Sequence, residues 1–300
     1  MPNVLANPHL ALLLTTLIWG GNAVAGRFAV DHISPMMLTA ARWGIALALV
    51  APFAWPHLKR DWPVVKERWV YLAACGAVGY TAFNFFLYSG LQTLSAIDVT
   101  LEQSAMPIVI FVLNYLIYRT GVRWLQLLGY AITVVGVLVV VSRGAPLSLF
   151  AGEASLGIGD FFMLCAAICY GGYSVALRSK PPMHWLSFLA CLVAAAFVAS
   201  LLGLAAEGAS GGLLLPTTMQ GTLVALYAGV FPSLVAQGLF IFGVERLGAN
   251  LAGLYINMVP VFGALLAVAM LGEQLFAFHA LAFVLVVGGI LLAQRSEKTL

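Results

Sequence analysis

Apolar runs of 18 or more residues follow one another along almost the whole chain, from about residue 9 to residue 293. No other feature constrains the fold as much. A run of that length crosses the roughly 30 Å hydrocarbon core of a bilayer as an α-helix. In a helix every backbone N–H and C=O is satisfied within the segment, which lipid demands. The runs are continuous, without the alternation of apolar and polar residues that transmembrane β-strands show over about ten positions. A β-barrel is therefore not expected. Charged residues make up 8% of the chain and hydrophobic ones 62%, against about 25% charged in soluble domains. The mean hydropathy of +1.01 agrees. The expected class is an all-α integral membrane protein.

Ten spans are predicted, roughly 9–29, 36–56, 69–91, 96–117, 124–142, 158–177, 184–204, 219–243, 249–270 and 276–293. The linkers between them are too short for a soluble domain, and no phosphate-binding loop occurs. The N-terminal "MPNVLANPHLALLL" lacks a basic n-region, so it reads as the approach to a retained first helix and not as a cleaved signal peptide. The positive-inside rule orients the set. Lys59, Arg60, Lys66, Arg68, Arg119, Arg123, Arg178, Lys180, Arg246, Arg295 and Lys298 fall on alternate connections or the tail, and both termini are expected to be cytoplasmic. The opposite side carries Arg27 and Arg143, with Arg42 just inside span 2, where it is expected to snorkel outward, a direct role in anion binding being the alternative.

The chain repeats itself. "LIWGGNAVAGR" at 17–27 is echoed by "CYGGYSVALR" at 169–178, at an offset of 151 residues. At an offset of 153, Pro107 meets Pro260, Gly136 meets Gly289, and Gly90, Leu94, Ala96 and Leu101 meet Gly243, Leu247, Ala249 and Leu254. The predicted division is 1–143 and 144–300, each with five spans. Five is odd, so the second repeat enters the membrane from the opposite side. Inverted repeats of this kind typify secondary transporters, with substrate held near the midplane between them.

Polar groups inside spans are costly and mark functional sites by default. The repeat arranges them in pairs: Asn84 with Gln237, Ser104 with Asn257, Trp19 with Tyr170, and Asn22 with Tyr173. Helical periodicity puts Trp19 and Asn22 on one side of span 1 and the small pair Gly21/Ala25 on another, with Gly172/Ala176 as the equivalent small pair for close packing. Tyr80, Asn84 and Tyr88 form a stripe on span 3. Pro107 and Pro260 sit mid-span and free carbonyls such as that of Gln103; with Pro232 they are candidate hinges. Glu102, opposite Tyr255 in the repeat, is a candidate for binding an ammonium or relaying a proton. Trp19, Asn22, Tyr80, Asn84, Glu102, Gln103, Ser104, Tyr170, Tyr173, Gln237, Tyr255 and Asn257 form the expected substrate ring.

Other polar groups read as structural. Ser95-x-x-Asp98 resembles a capping box, and Asp160 and Glu273 are expected to stabilise the N-termini of spans 6 and 10. "GIGD" at 157–160 matches an intramembrane aspartyl protease motif but lacks a second aspartate in the required context, so no enzyme is expected. The four cysteines and five histidines lack metal-ligand spacing, so neither a metal nor a cofactor is expected.

"IWGGNAVAGR", Arg42 in "TAARWG", the span 4 proline, "GDFFMLCAAICYGGYSVALR" and "LGANLAGLYINMVPVFGALLAVAMLGEQ" resemble the EamA family of the drug/metabolite transporter superfamily, over about residues 9–293. Within it the chain is most similar to YddG-type exporters of aromatic amino acids and methionine. The resemblance implies a ten-helix, two-repeat carrier in a bacterial inner membrane, with an amino acid as the small-molecule substrate, lipid as its surroundings and no nucleic-acid partner. Export of other metabolites, such as nucleosides or drugs, is the alternative, and a membrane enzyme is the less favoured class.

Overall fold

A computed structural model describes residues 7–119, 123–147, 156–248 and 255–295. Among them every regular element is helical: α1 (Pro8–Phe28), α2 (Pro35–Ala74), α3 (Phe83–Gly90), α4 (Ala96–Glu102), α5 (Met106–Tyr118), α6 (Trp124–Val141), α7 (Ile158–Ala176), α8 (Trp185–Ala209), α9 (Met219–Val230), α10 (Ala236–Leu247), α11 (Val259–Leu266) and α12 (Ala277–Arg295). Seven helical stretches among the described residues are long and apolar enough to cross a membrane, and Val259–Leu271 and Ala277–Ala293 are shorter apolar helices. Large apolar side chains such as Val198, Leu202 and Val284 stand exposed on the outside of the bundle, as lipid contact requires and water would penalise.

The sequence marks the helix starts. Asn7 accepts from the N–H groups of His9 and Leu10, with Pro8 in the first turn of α1. Ser95 accepts from Asp98 N at 3.0 Å and Thr218 from Gly221 N at 3.1 Å. Such caps satisfy amides that have no partner within the helix.

Three expectations are corrected. Spans 2 and 3 do not separate: the chain stays helical from Pro35 to Gly90, 56 residues. Pro52, Pro56 and Pro63 lie inside α2, and the break is taken by Arg68 alone (φ −111°, ψ 18°). Leu58, Lys59 and Arg60 between the prolines, and Lys66 and Glu67 after them, are good helix formers and hold the connection in helix. Next, Glu273 does not serve span 10, whose helix begins at Ala277. Its carboxylate accepts from the N–H groups of Ala96 and Ile97 and so caps α4 instead. Finally, Gly172 has nothing within 4 Å of a Cβ built on it, so it is not a packing contact.

Close crossings are made elsewhere. α1 runs against α11 at Gly20, where an added Cβ would lie 2.7 Å from Gly263 N. α6 lies along α12 with Gly129 against Gly289, where an added Cβ would reach the Gly289 carbonyl at 2.5 Å. Small residues let backbones approach where lipid offers no hydrophobic drive between helices.

Three π-helical turns interrupt the bundle, at Cys75–Ala82, Phe231–Val235 and Ala267–Leu271. A 3₁₀ turn at Gln103–Ala105 breaks the helix ahead of Pro107. Pro260 likewise stands in the first turn of α11, after a break at Asn257–Met258. All of these breaks except Ala267–Leu271 contribute residues to one cavity.

Candidate substrate cavity

A cavity of about 410 Å³ lies between α1, α2, α3, α7 and the broken helices. Nine of the twelve expected ring residues line it: Trp19, Asn22, Tyr80, Asn84, Gln103, Ser104, Tyr170, Gln237 and Asn257. All three candidate hinge prolines, Pro107, Pro232 and Pro260, line it too. The indole N–H of Trp19 donates to the carbonyl of Pro232 at 3.3 Å, which ties α1 to the π turn of Phe231–Val235.

The other three ring residues stand elsewhere. Glu102 is buried beside the cavity wall, 5% exposed, and its Oε1 has no hydrogen-bond partner among the described residues. Its neighbour Gln103 faces the cavity because the 3₁₀ turn that starts there rotates the chain. Tyr173 packs edge-on against Tyr80, with ring centroids 5.5 Å apart, as one turn of α7 presses on the π turn at Cys75–Ala82. Tyr255 pairs its hydroxyl with the His9 ring at 2.6 Å, away from the cavity wall.

The principal correction concerns Arg42. It does not snorkel outward: it is 6% exposed and faces the cavity. Its Nη1 donates to Asn84 Oδ1 (2.7 Å), Tyr88 Oη (2.9 Å) and Asn22 Oδ1 (3.0 Å), and its Nε to Ser233 Oγ (2.7 Å). Tyr88 also donates to Asn22 Oδ1 at 3.0 Å. The guanidinium carbon lies 4.9 Å from the centroid of the Trp43 ring, and Trp43 stacks on Tyr80 at 4.6 Å. Amide and hydroxyl oxygens thus replace the water that a snorkelling arginine would seek. Side chains from α1, α2, α3 and the π turn at Phe231–Val235 meet on this one guanidinium. Asn22 and Asn84, expected to face substrate directly, line the cavity while holding Arg42.

Among the described residues the cavity wall contains no Asp, Glu, Lys or His, and Arg42 is its one charged side chain. Six aromatic residues, Trp19, Trp43, Tyr80, Phe83, Tyr130 and Tyr170, line the cavity together with aliphatic ones. Apolar walls with a few fixed polar groups are the usual make-up of a small-molecule site. Among the described residues no cluster of His, Cys, Asp or Glu suits a metal ion.

The profile of the EamA-like transporter family matches this chain twice, over residues 7–142 and 157–294. The chain belongs to the EamA-like transporter family. Its EamA relatives are named transporters, and it is a transporter and not an enzyme. A probable terminal-alkyne amino-acid exporter of Streptantibioticus cattleyicolor is 24% identical over 290 residues, covering 95% of this chain and 92% of the relative. An S-adenosylmethionine/S-adenosylhomocysteine transporter of Chlamydia muridarum is 22% identical, covering 88% and 84%. The uncharacterized transporter YyaM of Bacillus subtilis is 22% identical, covering 96% and 93%. A crystal structure at 20% identity shares the EamA chain's fold with a TM-score of 0.64, covering 97% of this chain and 99% of the other.

Proposed function

We propose that this EamA transporter exports aromatic and other apolar amino acids, methionine included, by alternating access between two five-helix repeats of inverted topology. We place it in a bacterial inner membrane with both termini cytoplasmic. The observation that carries the substrate reading is the cavity: six aromatic rings beside amides, hydroxyls and one guanidinium. Planar rings suit flat or apolar side chains, and the polar groups suit the backbone of an amino acid. The amino-acid exporter among the relatives supports the same class.

Reciprocal contacts support the two repeats. Gly90 packs on Met163 while Gly243 packs on Leu12, and these partners are related by offsets of 153 and 151. Gly76 meets Ala196 while Gly229 meets Ile45, at the same two offsets. Gly129 meets Gly289 while Gly136 meets Ala282, again 153 apart. Such exchanged pairs are what a two-fold relation between halves generates. Pro35–Gly90, at 1.5 Å per residue, runs for about 84 Å, enough for two crossings with a reversal at Arg68. The two shorter helices then complete ten spans.

Of the two roles expected for Glu102, its place outside the cavity leaves proton relay. Asp160 faces it from α7. A second reading, export of nucleoside-bearing or drug-like metabolites, is favoured by the relative named for S-adenosylmethionine.

The test is flux. Purified protein in liposomes moves labelled phenylalanine, tryptophan or methionine; absence of flux for every amino acid overturns the proposal.

A further inference from the structure

The formal charge of the cavity wall is one-sided: among the described residues it holds Arg42 and no acid. Nη1 and Nε of Arg42 are engaged, whereas Nη2 has no partner among the described residues. The two buried polar side-chain atoms of the wall that lack a partner are also nitrogens, Trp43 Nε1 and Asn257 Nδ2. The indole N–H can only donate, and a guanidinium is a donor with a fixed positive charge. Among the described residues the ion pairs are Arg68–Glu67 and His279–Asp98, so Arg42 has no carboxylate partner. Glu102, the nearest acid in sequence to the wall, does not line it. A buried guanidinium surrounded only by neutral oxygens keeps its charge uncompensated, and a low-dielectric setting strengthens its attraction for an anion. No acidic side chain in the wall does the same for a cation.

We infer that Arg42 Nη2 is the anchor for a carboxylate on the cargo and that the cargo's ammonium is dispensable. The site therefore also takes apolar and aryl carboxylates that have no amino group. The inference rests on the reading of this cavity as the substrate site and names the chemical group that the site requires. The protein's resting charge at the site is +1, so a monocarboxylate brings it to neutrality, whereas an amine raises it. Charge-assisted hydrogen bonds in such a setting are short and about twice as strong as neutral ones.

Three compounds of the same ring and chain separate the possibilities: phenylalanine, 3-phenylpropionate, which lacks the amino group, and phenethylamine, which lacks the carboxylate. Binding to purified protein is read by calorimetry and by ligand-induced stabilisation against heat, which follows occupancy. The expected order has 3-phenylpropionate within about threefold of phenylalanine, and phenethylamine weaker than both by roughly tenfold or more, the value of one charged hydrogen bond. Arg42→Gln weakens 3-phenylpropionate and does not weaken phenethylamine, whose like charge it no longer opposes. The comparison among ligands uses the wild-type protein, so it stands even if Arg42→Gln fails to fold. Phenethylamine binding as well as 3-phenylpropionate overturns the inference and leaves amino-acid export standing. Binding of 3-phenylpropionate without phenylalanine overturns amino-acid export and leaves the carboxylate anchor standing. Silence from all three overturns both.

Discussion

The carboxylate of Glu273 accepts the backbone N–H of Ala96 at 2.8 Å, joining two segments 177 residues apart. It takes the N–H of Ile97 as well, at 3.0 Å. One side chain from the second half of the chain therefore caps a helix in the first. Glu273→Ala strips two amides of their acceptor and is expected to cost roughly 1–3 kcal/mol. Thermal unfolding in detergent checks it, and Glu273→Gln, which keeps one acceptor oxygen, falls between the two.

Glycine substitutions separate packed from open sites. At Gly20 the new Cβ of alanine would lie 2.7 Å from the backbone of Gly263 and 2.9 Å from the carbonyl of Val259. Backbone cannot rotate away, so Gly20→Ala is expected to destabilise by about 1–3 kcal/mol. Gly172→Ala meets nothing within 4 Å and is expected to be neutral or to stabilise by up to about 1 kcal/mol through helix propensity. Melting of the two variants side by side decides it.

The cavity wall should matter to flux and not to folding. Trp19→Ala and Gln237→Ala are expected to lower amino-acid flux in proteoliposomes by roughly tenfold, in line with the loss of an aromatic or hydrogen-bonding contact to substrate. Trp19→Ala also frees the Pro232 carbonyl. Wild-type flux in both variants reduces the wall to packing.

Much of this wall was legible in the sequence, and particular residues show why. Trp19 and Asn22 share a helix face, and Asn84 and Gln237 are related by the repeat; cost and symmetry both point inward. For Arg42, closeness to the span's end favours snorkelling, and the buried position overrules it. Arg42 lies seven residues beyond Pro35, about 10 Å along the helix, and the amides and hydroxyls of Asn22, Asn84, Tyr88 and Ser233 were available inside. The signal was the number of polar groups on spans 1, 3 and 8 with no other partner. Glu102 and Tyr173 do not line the cavity: Glu102 stands just ahead of the 3₁₀ turn, and Tyr173, on the regular α7, packs against Tyr80, a neighbour that its repeat pairing with Asn22 does not foretell.

Glu102 supplies the last prediction. Its Oε1 is buried with no donor, and its neighbour lines the cavity. An outside-acid gradient is expected to accelerate export by the wild type, and Glu102→Gln, which cannot release a proton, is expected to export at one rate whatever the gradient. A gradient response retained in Glu102→Gln removes the residue from proton traffic.

The three π turns have a mechanical consequence. Each places an extra residue in the spiral, so carbonyls near it stand between two candidate amides. A helix with such a dislocation can advance its register by passing the irregularity along, one bond exchanged for another, without exposing backbone to lipid. Two of the three adjoin cavity residues, Gly79 and Tyr80 on one and Pro232 on the other. The bundle thus carries its slippage planes next to its cargo, as a crystal yields along its defects and not through its lattice.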